Sequence, residues 1–197
     1  MKKVTLVVLA ITLMLGVAAA QNVGNNSVYF TTYFSNNIAA APDATVRFIN
    51  DGVTGANLYA SIYVFDDSEE LTQCCSCAVT PDGLLSESVK NNLTNHALRG
   101  VIPSRGVIKV ISSSTESDAS TGFAANKPTP GLRGWATHIQ STANHFPTGP
   151  GPYSQTETQF ADSNLTAGEQ SMLLQLCLFD NMLSGEPCSC NAKDLDF

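Results

Sequence analysis

Leu58-Tyr59-Ala60-Ser61-Ile62-Tyr63-Val64-Phe65, then Asp66-Asp67-Ser68-Glu69-Glu70, then Leu71-Thr72-Gln73-Cys74-Cys75-Ser76-Cys77-Ala78-Val79: this stretch decides the fold. In the first run Leu58, Ala60, Ile62 and Val64 fall on one face and Tyr59, Tyr63 and Phe65 on the other, the period of two of an extended chain. Both faces are apolar, which places this strand near the centre of a sheet covered on both sides. The acidic run turns the chain back into a second strand. Thr80-Pro81-Asp82-Gly83 then turns it again before Leu84 to Val89, so a three-strand antiparallel meander is expected.

Working outward, Ser27 to Phe34 and Ala44 to Ile49 are further short runs of β-branched and aromatic residues, bounded by Asn, Pro, Asp and Gly. Pro103-Ser104-Arg105-Gly106 leads into Val107 to Ser112, a fourth strand of the central block. Between Ser113 and Tyr153 the pattern loosens into Ser/Thr and Gly/Pro-rich loops, with Leu132 to Ile139 and its Trp135 as a strand between them. Tyr153 to Phe160 reads as a polar edge strand. One helix is expected over about 167–184: Thr166 is its N-cap, with Glu169 three residues on as a capping box, and Gly185 and Pro187 stop it. Met172, Leu176, Phe179 and Leu183 recur at helical spacing, with Leu173 and Cys177 on the adjoining stripe, so the helix should pack on the sheet with Cys177 turned inward. The expectation is a single mainly β domain over 21–197, an antiparallel β-sandwich with one C-terminal α-helix packed on it; a partly closed barrel is the alternative.

The first 20 residues read as a secretory leader: Met1-Lys2-Lys3, an apolar run from Val4 to Leu15, and small residues Ala18-Ala19-Ala20 before Gln21. Nothing downstream is apolar enough to span a bilayer, so no transmembrane segment is expected after cleavage. Loss of Lys2 and Lys3 would deepen a net charge that is already −7. With no Lys/Arg cluster, a chain of this sign repels phosphate backbones, and nucleic acid is excluded as a partner.

Cys74, Cys75 and Cys77 form one cluster, and Cys177, Cys188 and Cys190 a second about 100 residues later. An even number of cysteines in an exported chain reads as disulfides. Spacing alone does not choose the connectivity. If Leu71 to Val79 is a strand, Leu71, Cys75, Cys77 and Val79 share a face and Cys74 lies on the other. Cys188 and Cys190 repeat the same i, i+2 spacing, so an extended tail against that strand would form two bridges and leave Cys74 to Cys177. A Cys₄ zinc site from the two C-x-C pairs is the competing reading, though structural zinc usually takes C-x₂₋₄-C.

The block from Leu58 to Asp66, the run Cys74 to Leu84, the Val107-Ile108-Lys109-Val110 strand and the terminal Cys177 with Cys188-Ser189-Cys190 resemble a group of secreted bacterial proteins defined by cysteine placement and turns. The resemblance covers about half of the chain beyond the leader. It implies export and a shared scaffold, and carries no chemistry with it.

Candidate chemistry is sparse. Asp66, Asp67, Glu69 and Glu70 are clustered carboxylates of the kind that bind Ca²⁺, but EF-hand spacing and its glycine are absent and a solvated hairpin turn is the preferred reading. His96, His138 and His145 lack H-E-x-x-H spacing, and no serine sits in a G-x-S-x-G or S-x-x-K motif. Trp135 and Tyr153, with Tyr59 and Tyr63, offer rings for a sugar face or fill a core. Asn25, Asn92 and Asn164 begin N-x-S/T sequons. No cofactor is called for. The reading that follows is a secreted, non-enzymatic module, structural or adhesive, whose partner is a protein or glycan at the cell surface. A carbohydrate-binding module and a secreted hydrolase built around His138 or His145 are the alternatives.

Overall fold

The computed structural model describes residues 26–35, 41–97, 100–118, 121–122, 124–141, 152–184, 188 and 190. The proposed leader, Asn25, His145 and the expected helix stops Gly185 and Pro187 lie outside them. Among the described residues, nine strands form two antiparallel sheets: β1 (Tyr29–Ser35), β2 (Thr45–Asn50), β3 (Leu58–Asp66), β4 (Leu71–Val79), β5 (Leu84–Ser88), β6 (Arg105–Ser113), β7 (Leu132–Ser141), β8 (Tyr153–Gln159) and β9 (Ala161–Asp162). The five-stranded sheet runs β4-β3-β6-β1-β9 and the four-stranded sheet β5-β2-β7-β8. Helix α1 (Ala167–Ser184) packs on β4. The fold is therefore a β-sandwich with one helix docked on its outer face.

β3 sits between β4 and β6 and is buried on both sides. Leu58, Ala60, Ile62 and Val64 face the other sheet and share its core with Phe34, Val46, Phe48, Leu132 and Phe160. Tyr63 and Phe65 face the opposite way, into a second core with Tyr29, Leu71, Ile111, Leu173 and Cys177 beneath the helix. One strand thus joins two apolar layers, which is why its sequence is apolar in both phases.

Three expectations are corrected. The β3–β4 hairpin is present, but β5 pairs with β2 in the other sheet, so Thr80 to Gly83 carries the chain across the sandwich and there is no three-strand meander. Leu71 lies in the helix-side core with Cys74, not on the face of Cys75 and Cys77. The cause is a bulge: Val64 pairs with Gln73 but Phe65 with Leu71, leaving Thr72 as the extra residue, and one added residue reverses the alternation. The third correction concerns α1. Its buried residues are Leu173, Cys177 and Asp180, while Met172, Phe179 and Leu183 are exposed. Cys177 is turned inward as expected, with Leu173 beside it and Leu176 half-buried against the same core, and it is the Met172, Phe179 and Leu183 part of the periodic stripe that looks outward.

Val89 leaves β5 for a π-helical turn, Val89–Leu93, capped by Ser88, whose Oγ accepts from the Asn91 amide at 2.9 Å. The proposed fourth strand begins earlier than its apolar run, at Arg105, because Gly106 is pressed into the sheet. A Cβ there would lie 1.9 Å from the Phe65 carbonyl oxygen and 2.8 Å from the Phe34 ring. Gly106→Ala should therefore cost about 3 kcal/mol, since overpacking a rigid site forces backbone shifts. A urea midpoint equal to wild type would show that β6 can move away from β3 without penalty.

Candidate functional site

The hairpin turn joining β3 to β4 organises one end of the molecule. Asp66 Oδ1 accepts the Ser68 amide at 2.8 Å and the Glu70 amide at 3.0 Å, so this carboxylate holds its own turn. Asp67 Oδ2 receives Arg105 Nε at 2.7 Å on the surface. Glu69 is exposed and Glu70 half-buried. The four carboxylates are thus spread along the turn. Among the described residues, the one set of three ligand-type side chains that converges is Cys75, Cys77 and Cys190, and these sulfurs are already engaged in disulfides.

Cys74 bonds Cys177, Cys75 bonds Cys188 and Cys77 bonds Cys190, with Cα separations of 5.7, 5.2 and 5.2 Å. Alternation along β4 explains the set: Cys74 faces the helix, whereas Cys75 and Cys77 face the tail. The Cys188 amide also donates to the Cys74 carbonyl at 3.2 Å, so the tail begins as an addition to the free edge of β4. Asn181 Nδ2 donates to the Cys177 carbonyl at 2.9 Å and approaches Cys74 Sγ at 3.1 Å, closing the bridge against the helix. These bridges displace the Cys₄ zinc reading.

At its other end α1 is held by charge. Thr166 Oγ1 accepts the Glu169 amide at 3.1 Å, the cap expected from the sequence. The Glu169 carboxylate is committed elsewhere: Lys109 Nζ and Tyr29 Oη both donate to its Oε1 at 2.7 Å. The Lys109 hydrogen bond is the main cause that holds the Glu169 carboxyl below its usual value, while burial pushes the Tyr29 phenol well up. Lys109 also lies 5.1 Å over the Phe65 ring. Glu169→Gln should cost about 1–2 kcal/mol at pH 7, the worth of a charge-assisted hydrogen bond. Stability from a depressed carboxyl is present above its unfolded value and lost as pH falls through the folded one. Wild type and variant should therefore converge in thermal melts near pH 3, and a gap that persists there would assign the loss to packing.

The remaining sequence candidates are dispersed. His138 is fully buried on β7, stacked 4.0 Å from the Tyr33 ring with Nε2 at 2.7 Å from Thr158 Oγ1, and burial lowers its pKa. That is a buried packing position on β7 against Tyr33 of β1. His96 is exposed in the turn beyond the π-helical segment. Trp135 is half-buried and pairs with Gln159, whereas the exposed Tyr153 pairs with Ser141 at the far end of the same ribbon. Six ladder positions at about 3.3 Å each hold these two rings roughly 20 Å apart, too far for one sugar ring. Tyr63 is core, its pKa pushed up to about 12 by burial, with Asn126 Nδ2 donating to its hydroxyl at 2.9 Å. Asn92 is buried and its Oδ1 accepts the Ser88 amide at 2.8 Å, so this sequon is sealed once the chain folds. Asn164 is exposed.

What the sequence did not reveal is the outer face of α1. Met172 is 43% exposed, Phe179 59%, Met182 75% and Leu183 59%. Beside them, a cleft of about 450 Å³ runs between Leu176 and Phe179 on the helix and Glu69 and Glu70 on the turn. The inward turn expected of Cys177 already implies it. At about 100° per residue, turning Cys177 inward swings Phe179 roughly 200° round, to the opposite side.

Fold and bridges together define a β-sandwich with a disulfide-clamped C-terminal helix. No protein-family model matches the chain, and neither does any curated protein. Among solved structures, the Anabaena sensory rhodopsin transducer is similar over 44% of this chain and 87% of its own, at 14% identity and a TM-score of 0.33. A likeness that loose carries no argument about function.

Proposed function

We propose that the chain is a secreted, non-enzymatic extracellular module, structural or adhesive, in which a rigid disulfide-fixed sandwich presents surface elements to a partner. The observation that carries this reading is the triple clamp of α1 and the tail onto β4. A domain of this length also buries a sizeable core of its own. Three bridges concentrated on one strand therefore add persistence, a property useful in an oxidising exterior where unfolding exposes a chain to proteolysis. Among the described residues, no helix is long and apolar enough to cross a membrane.

The test is an intact mass of the exported protein, denatured without reductant and alkylated, together with binding of the labelled protein to the producer's surface. A mass beginning at Gln21 with no alkylated thiol, and saturable attachment, is the expected result. Free thiols with stoichiometric zinc, or confinement of the chain to the cytoplasm, would sink the proposal.

A further inference from the structure

The helix that the bridges hold in place has an unusual division of labour. Its inner face carries Leu173, Cys177 and the buried Asp180, and its outer face carries Met172, Phe179, Met182 and Leu183. Large apolar side chains gathered on one exposed stripe mark a surface built to be covered. The stripe has one chemically distinct border, the cleft of about 450 Å³ whose far wall is Glu69 and Glu70. From Ala167 to Ser184 the helix has no lysine or arginine, so its carbonyl end adds to the same negative field.

We infer that this stripe and cleft are a docking face for a cationic amphipathic polypeptide segment, with apolar residues seated along Met172, Phe179 and Leu183 and lysines or arginines reaching Glu69 and Glu70. The inference rests on the extracellular-module reading and names its partner's chemistry. Charge selects this occupant. A second copy of the chain would bring two net charges of −7 together, and an anionic membrane would be repelled in the same way. The chain's own residues 191–197 carry Asp194 and Asp196 against one Lys193, the wrong sign for a wall of glutamates. A helical ligand with anchors at i, i+3 and i+4 matches the spacing of the stripe, in the manner of helix-in-groove recognition.

The experiment titrates the oxidised protein into a labelled helical peptide with leucine along one face and lysine along the other, read by fluorescence anisotropy. A control peptide keeps the leucine face and replaces lysine with glutamate. The lysine peptide should bind, the glutamate peptide should bind at least tenfold more weakly, and added salt should weaken the first. Phe179→Ser with Leu183→Ser should lower affinity at least tenfold, and Glu69→Gln about threefold with a shallower salt dependence. All three positions are exposed, and an unchanged near-UV circular dichroism spectrum will confirm that the variants fold. Equal binding of the two peptides would overturn the inference, as would equal binding by the double-serine variant. So would a dimer broken by the double-serine change, capture by anionic vesicles abolished by it, or binding that appears only after removal of 191–197. If the double-serine variant loses the peptide yet still attaches to the producer's surface, the module reading stands with a different contact face. Free thiols or failed export would remove that reading whatever the peptide does.

Discussion

Reduction of all three disulfides should unfold the protein in buffer where the oxidised form is stable. Each bridge joins residues more than 100 positions apart, at separations of 103, 113 and 113. In the chain-entropy view, the first such closure is worth about 5 kcal/mol. The other two are nested within it. With Cys75–Cys188 closed, Cys74–Cys177 completes a ring that runs one residue along β4 and eleven along the helix end and tail, worth about 3 kcal/mol. Cys77–Cys190 adds a ring of two residues on each strand, worth about 2 kcal/mol. Together they approach 10 kcal/mol, comparable with the whole stability of an ordinary domain. The individual losses follow the ring sizes. Cys74→Ala with Cys177→Ala should cost about 3 kcal/mol while the other bridges remain, and Cys77→Ala with Cys190→Ala about 2 kcal/mol or less. Urea midpoints with and without dithiothreitol read all of these. A reduced protein whose midpoint falls by less than about 1 M would mean that the two cores hold the fold unaided.

The strands were legible because each is a short β-branched or aromatic run closed by residues with a reason to turn. The destination of a strand is another matter. Thr80-Pro81-Asp82-Gly83 makes the same turn whether Leu84 returns beside Cys77 or crosses to β2, so nothing local distinguishes a meander from a change of sheet. Thr72 bulges without glycine or proline to announce it, and that silent insertion moved Leu71 to the other core. Gly106 reads as turn chemistry, but the Phe65 carbonyl lying where a Cβ would go explains it, and that residue belongs to a strand about 40 residues earlier. The cysteine pairing could be argued because two i, i+2 pairs in extended chains present matching faces. The helix could not be oriented from hydrophobicity. Periodicity identifies which stripe is apolar, whereas a covalent anchor decides which stripe is buried, and here the two disagree.

That disagreement leaves a carboxyl group beneath the helix. Asp180→Asn should raise stability at pH 8 by about 4 kcal/mol and leave it unchanged near pH 3, because a pKa that differs by one between folded and unfolded chains is worth about 1.4 kcal/mol. Asp180 is 2% exposed on the inner face of α1, and burial pushes its carboxyl from 3.8 up to about 7. Across that interval the folded chain keeps a proton that the unfolded chain has released. Unfolding then becomes easier as pH rises from about 4 to about 7, and flat beyond. His138 works in the opposite sense. Burial lowers its pKa from 6.5, so the unfolded chain takes up a proton first as pH falls, and stability declines toward acid. The two slopes oppose each other where both groups titrate, below about pH 6.5. Wild type should therefore show a shallower decline than Asp180 alone would impose, and the Asp180→Asn variant, left with the His138 limb, should climb toward neutral pH. His138→Gln should do the reverse and steepen the decline above about pH 4. Guanidinium melts at intervals of half a pH unit separate the two groups. If wild type and Asp180→Asn run parallel from pH 4 to 8, Asp180 stays ionised in the fold. The inner helix face then holds a compensating cation, and the stability beneath α1 rests on an ion pair in place of a buried neutral acid.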